Sequence, residues 1–200
     1  AHAEALGKST GVVTTVPFCH ATPAGFVAHN ASRWNYEAIA QEMLLSSGTD
    51  VIMGTGHPFF DSDGQADDSP SYQYVGGKDT WEGLAAGTAG MYADGGGAPG
   101  RWTLVETREQ FRALGSGNTP QRVCGVAQAG ATLQQSRRGD GWAEPYAAPL
   151  NGNVPTLAEM TYAALNVLDN DPDGFFLMVE GGAIDWASHA NQAGRMIEEQ

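Results

Sequence analysis

A series of short, unbroken apolar runs constrains this chain more than any other feature. They are GVVTTV at 11–16, DVIMGTG at 50–56, WTLVE from 102, RVCGVA at 122–127 and FFLMVE at 175–180. Runs without polar alternation suit strands of a sheet covered on both faces. Helical patterns separate them. HATPAGFVAHNASR at 20–33 begins as a loop and is expected to turn helical after Pro23, a residue suited to a first turn. NYEAIAQEMLLSSG at 35–48 sets Ile39, Met43 and Leu44 at helical spacing and stops at Gly48. A further helix is expected from about Thr107. PTLAEMTYAALNVLDN at 155–170 is the clearest helix, with Leu157, Met160, Ala164 and Val167 on one stripe. DTWEGLAAG at 79–87 reads as a short helix with Asp79 and Glu82 as a capping box. Helix and strand in alternation predict an α/β fold with a largely parallel central sheet. The 200 residues are read as part of a single domain, with 57–102 as an irregular insertion or variable loop region. Functional groups in such sheets gather beyond the carboxyl ends of the strands, here just after residues 16, 56, 127 and 179.

Charge narrows the partners. The formal net charge is -13, and Lys8 and Lys78 are the only lysines. General nucleic-acid binding needs a basic footprint, so nucleic acid is not an expected partner. An anionic substrate is still admissible, because bound metal ions can supply local positive charge. No apolar run approaches the roughly 20 residues of a membrane span. Cys19 and Cys124 are read as separate thiols rather than a disulfide framework. AHAEALG at the start reads as the tail of a helix stopped by Gly7, and RMIEEQ at the end as helix without a stop. The chain is therefore expected to be an internal excerpt of a longer protein.

Residues 169–189, DNDPDGFFLMVEGGAIDWASH, admit two chemistries. Asp169, Asp171, Asp173, Gly174 and Glu180 match the calcium-loop pattern D-x-[DN]-x-[DN]-G-x5-E. FFLMV in the second half of that loop, and Gly181 and Gly182 where its second helix should run, argue for a turn into a strand instead. DSDGQADD at 61–68 is likewise read as solvated surface. Under the strand reading, Glu180 ends a buried strand, and Gly181 and Gly182 allow a sharp turn with room for a close neighbour. A helix then starts near Asp185. Asp185 and His189, at i and i+4, share one helical face, and an oxygen and a nitrogen so placed suit Zn²⁺. Glu180 is a hard oxygen donor suited to Mg²⁺. Alternatively, Asp185 caps the helix and His189 is an ordinary surface or core histidine. His20 and Thr22 follow the strand at 11–16 and can reach the same sheet edge. Thr22 can ligate Mg²⁺ or serve as a turn residue before Pro23. Arg33 can present its planar fork to a phosphate or be a surface charge.

VEGGAIDWASHA resembles the metal-binding segment of the alkaline phosphatases, and HATPAGFVAHNASR resembles their Thr-containing segment with its phosphate-binding Arg. DVIMGTG, RVCGVA and PTLAEMTYAALNVL resemble that family in the same order. The resemblance implies the family's three-layer fold, incomplete in this chain. It implies that Thr22 and Glu180 bind Mg²⁺, that Asp185 and His189 bind one of two catalytic Zn²⁺ ions, and that Arg33 clamps phosphate. His20 would sit beside the Mg²⁺ site, and Trp186 would shape the substrate pocket. The activity implied is phosphate monoester hydrolysis through a phosphoserine intermediate, by a homodimeric periplasmic or extracellular parent. The family's serine nucleophile, its first metal-binding Asp and the ligands of the second Zn²⁺ have no match in these 200 residues, so the excerpt alone is expected to be inactive. The alternatives are another metal-dependent hydrolase of the same superfamily, such as a phosphodiesterase, and a calcium-binding structural domain.

Overall fold

The computed structural model describes residues 2–89 and 101–200. Five parallel strands form one sheet in the order β3-β4-β2-β1-β5, where β1 is Ser9–Pro17, β2 Val51–Thr55, β3 Thr103–Val105, β4 Val123–Val126 and β5 Phe175–Glu180. The helices are α1 (His2–Ala5), α2 (Ala21–Val27), α3 (Tyr36–Gln41), α4 (Lys78–Ala85), α5 (Arg108–Leu114), α6 (Leu157–Leu168), α7 (Gly182–His189) and α8 (Ala193–Glu199). A π-helical turn, Glu42–Ser46, continues α3.

Two apolar cores, one on each face of the sheet, make the three layers. On one face, Val12, Ile52, Cys124 and Met178 of the strands pack with Ile39, Met43, Leu44, Trp81 and Leu84. On the other, Val13, Met53, Val105 and Val123 pack with Phe111 and Leu114 of α5 and with Met160, Ala163, Ala164, Val167 and Leu168 of α6. Each central strand must therefore be apolar on both sides, which is why its sequence does not alternate. The α/β expectation holds. Within 57–102 the described residues include α4, and Val75, Trp81 and Trp102 belong to the core, while 90–100 lie outside the described residues.

Local chemistry sets the helix ends. Thr107 and Thr156 each cap a helix in a reciprocal box, with Gln110 and Glu159 respectively. Gly7, at φ +75°, follows α1 as expected. Four expectations are corrected. Asp79 and Glu82 form no capping box. Gly77 caps α4, and Glu82 instead lies 3.6 Å from Lys78, one turn away. The second helix begins at Ala21, ahead of Pro23, and α7 begins at Gly182, ahead of Asp185. FFLMVE is not covered on both faces. β5 is an edge strand paired only with β1, and Phe176 and Val179 are 45% and 43% exposed. Phe176 stacks at 5.9 Å on the ring of Phe26, itself half exposed.

Candidate functional site

β1 and β5 lie side by side, yet the chain leaves β1 towards β2 on one flank and reaches β5 from α6 on the opposite layer. Such a divergence opens a crevice beyond the carboxyl ends of the two strands. Glu180 closes β5 at this crevice. Its register partner on β1 is Thr14, whose Oγ1 donates to Glu180 Oε2 at 2.6 Å. The next residue of β1, Thr15, accepts the Ala183 N–H at 2.9 Å and so anchors the first turn of α7. A Cβ on Gly182 would stand 2.9 Å from Glu180 Oε2 and 3.0 Å from Thr14 Oγ1, so only glycine lets α7 start this close to the carboxylate. The expected close approach at the glycine pair is present.

α7 carries Asp185 and His189 one turn apart. His189 Nε2 and Asp185 Oδ1 are 3.4 Å apart on an exposed face. Two donors about 2.0–2.1 Å from one tetrahedral ion stand roughly 3.4 Å apart, so this pair fits two positions of a Zn²⁺ site. It is not a full set. Among the described residues no three His, Cys, Asp or Glu side chains gather as a metal site.

His20 caps the approach from β1. Its ring stacks on Tyr36 at 5.5 Å and tilts against Trp186 of α7 at 5.0 Å, while its Nε2 lies 3.3 Å from the Tyr36 hydroxyl. Burial and the Arg33 cation hold His20 below its ordinary pKa, while Glu180 and Asp185 pull it upward. His20 thus lies within the electrostatic reach of Arg33, Glu180 and Asp185 together. Thr22 is exposed on the first turn of α2, and the threonine bonded to Glu180 is Thr14 instead. Arg33 is exposed in the loop after α2, its guanidinium over the ring of Trp34 at 5.1 Å.

The calcium patterns have other uses. Asp169 is the C-cap of α6, Asp171 accepts from the Ser9 hydroxyl at 2.7 Å, and Gly174 at φ +83° turns the chain into β5. Asp61 and Asp63 are paired with Arg138 at 3.3 and 2.6 Å. The other strand ends are structural. His57 is buried, with Nε2 2.7 Å from Glu106 and Nδ1 accepting the Phe59 N–H. Ala129 O, after β4, accepts the N–H groups of Gly56 and His57. Cys19 and Cys124 are separate buried thiols, each pushed up to about 12 by burial.

Sequence reasoning missed Thr14, Trp34 and Tyr36. Thr14 is one β-branched residue among many in its strand, and nothing in the sequence marks it as facing Glu180. The aromatic side chains immediately after Arg33 were the available signal for the other two.

A three-layer parallel α/β protein with oxygen and imidazole donors at the carboxyl edge of its sheet is the class that fold and site define. Comparison makes this specific, and the chain belongs to the alkaline phosphatase family, whose family model matches residues 1–200. It is 31% identical over 205 residues to alkaline phosphatase 4 of Bacillus subtilis, spanning 98% of this chain and 35% of that protein. It matches the crystal structure of Thermus thermophilus alkaline phosphatase with a TM-score of 0.66 and 32% identity, over 100% of this chain and 34% of that one. A point mutant of TAB5 alkaline phosphatase with Mg bound in its M3 site matches with a TM-score of 0.59 and 26% identity, over 98% of this chain and 45% of that one. The chain thus spans less than half the length of these relatives. Among the described residues no helix is long and apolar enough to cross a membrane.

Proposed function

We propose that the full-length protein hydrolyses phosphate monoesters and that this chain supplies its Mg²⁺ ligands, half of one Zn²⁺ site and the phosphate clamp. The observation that carries this reading is the Asp185–His189 pair, 3.4 Å apart on the helix that follows Glu180. Glu180 and Thr22 hold Mg²⁺, with Thr14 fixing the Glu180 carboxylate from behind. Asp185 and His189 hold one Zn²⁺. Bound ions supply Lewis acidity at the phosphoryl and leaving oxygens and lower the pKa of the attacking group. Arg33 directs its fork at the non-bridging oxygens, where negative charge concentrates. His20 sits beside the Mg²⁺ ligands, held between Tyr36 and Trp186. Trp186 shapes the pocket without adding charge.

The serine nucleophile, which carries the phosphoryl group between the two half-reactions, and the remaining Zn²⁺ ligands come from other parts of the parent. The parent acts as a homodimer, outside the cytoplasm, on small phosphate monoesters. The acidic balance of -13 favours small substrates over nucleic acid.

The test uses the full-length protein. Asp185→Ala and His189→Ala should each lower bound zinc and abolish most turnover of p-nitrophenyl phosphate. Full zinc and full activity in Asp185→Ala would sink the assignment. A clear preference for diesters over monoesters would move the protein to a phosphodiesterase reading, and calcium without zinc would reject both.

A further inference from the structure

Arg33 needs a fixed orientation if it is to clamp phosphate, and its surroundings are unusual. Among the described residues it makes no hydrogen bond and no ion pair, and its guanidinium lies over the ring of Trp34, 5.1 Å from guanidinium carbon to ring centroid. Trp34 is 68% exposed, far more than a ring of that size is usually left. The loop backbone around the pair is knitted separately, because Asn30 Oδ1 accepts from the Ser32 N–H at 3.1 Å and from Asn35 Nδ2 at 2.9 Å. Trp34 in turn meets Tyr36 edge-on at 6.2 Å, and Tyr36 is braced by Tyr74 at 5.1 Å and by His20. The rings form a line from the core-packed Tyr74 out to Arg33.

We infer that Trp34 is a positioning residue that holds the Arg33 guanidinium ready for phosphate. The inference rests on the reading of Arg33 as the phosphate clamp. A carboxylate partner would occupy the fork edge of the guanidinium, which is the edge phosphate needs. A ring beneath the guanidinium forms no hydrogen bond with it, so the N–H donors stay available. The ring contact restricts a long side chain that otherwise samples many rotamers, and it leaves one indole exposed. Trp34 touches no reacting atom in this arrangement and acts through Arg33.

The experiment is a double-mutant cycle in the full-length, metal-loaded protein, with p-nitrophenyl phosphate and glycerol phosphate as substrates and inorganic phosphate as inhibitor. Exposed cation–π contacts correspond to about two- to fivefold in binding, so Trp34→Ala should lower kcat/KM and weaken phosphate inhibition by that factor. The loss should be the same for both substrates, and Trp34→Phe should restore most of it. In an Arg33→Ala background, Trp34→Ala should have no further effect. A loss confined to the aryl ester, or an undiminished loss in the Arg33→Ala background, overturns the inference, since Trp34 would then touch substrate itself. An impaired Arg33→Ala with an unaffected Trp34→Ala overturns it alone. An unaffected Arg33→Ala overturns the clamp reading, and the inference with it.

Discussion

The hydroxyl of Thr14 donates a 2.6 Å hydrogen bond to Oε2 of Glu180, its register partner across β1 and β5. Thr14 is fully buried, and Glu180, at the end of β5, is only partly so. A carboxylate held from behind presents its other lone pairs forward, as partners behind a metal ligand do. Thr14→Val keeps the side-chain shape and removes the donor. Stability should fall by only about 1 kcal/mol, since the half-buried Glu180 can turn to water. Magnesium affinity of the full-length protein should fall about 10- to 100-fold. A magnesium titration that matches wild type would remove Thr14 from the site.

Gly182 is a second support of the same carboxylate. An added Cβ would meet Glu180 Oε2 and Val16 Cγ2 at 2.9 Å each, closer than real Cβ contacts. Gly182→Ala should therefore cost about 1–3 kcal/mol by overpacking and should displace Glu180 as well. Gly25 of α2 is the control, because a Cβ there meets nothing within 4 Å. Gly25→Ala should stabilise by up to about 1 kcal/mol through its helix propensity. Thermal unfolding of both variants checks the contrast, and equal shifts would refute the packing argument.

The strands were legible because both faces of each central strand are buried, which forces apolar residues at every position. The same logic misread β5, since FFLMVE carries no mark of standing at the edge of the sheet. The helix start was legible at Thr107, while the capping box read at Asp79 is absent. The D-x-x-E pattern at 79–82 is present, but Gly76 and Gly77 at φ +81° and +84° deliver the chain so that Gly77 becomes the cap. Asp185 and His189 could be paired from spacing alone, because helical geometry is local. Thr14 and Glu180 could not, because their contact depends on the register between strands 166 residues apart in sequence.

Glu159 joins α5 to α6, with Arg108 Nε at 2.9 Å and Arg112 Nε at 2.6 Å. Burial alone would raise its pKa, but the two arginines and the Thr156 N–H outweigh it and lower the carboxyl to about 2. A depressed carboxylate adds stability above its unfolded value of 4.5 and loses it as pH falls towards 2. Wild type should thus lose stability across that window, and Glu159→Gln should lack this component while being weaker at neutral pH. Unfolding curves at pH 2.5, inside the window of about 2–4.5, and at pH 5, above it, measure it. Parallel losses in the two proteins would contradict the assignment.

Glu199 of α8 runs in the opposite sense. Burial raises its carboxyl to about 7, against the N–H groups of Gln135 and Gln134 and the Arg137 cation, with Glu198 adding to the rise. Arg137 does not neutralise Glu199, because it is committed to Glu198 at 2.8 Å, where Arg195 also pairs. A carboxyl whose folded pKa is raised contributes stability below its unfolded value of 4.5, and that contribution is lost as pH rises through about 7. Ionising Glu199 in place should cost on the order of 3 kcal/mol at pH 8 relative to the protonated form. Glu199→Gln keeps an oxygen for the Gln134 and Gln135 N–H groups and carries no charge at any pH. The variant should gain stability over wild type as pH rises from 4.5 to 8, and the gain should level off above about 7. Because α8 packs on α7, which carries Asp185 and His189, the destabilised wild-type α8 at high pH should also exchange its amide protons faster than the α8 of the variant. Hydrogen exchange of α8 at pH 8 that is equal in the two proteins would show that Glu199 does not strain this end of the fold.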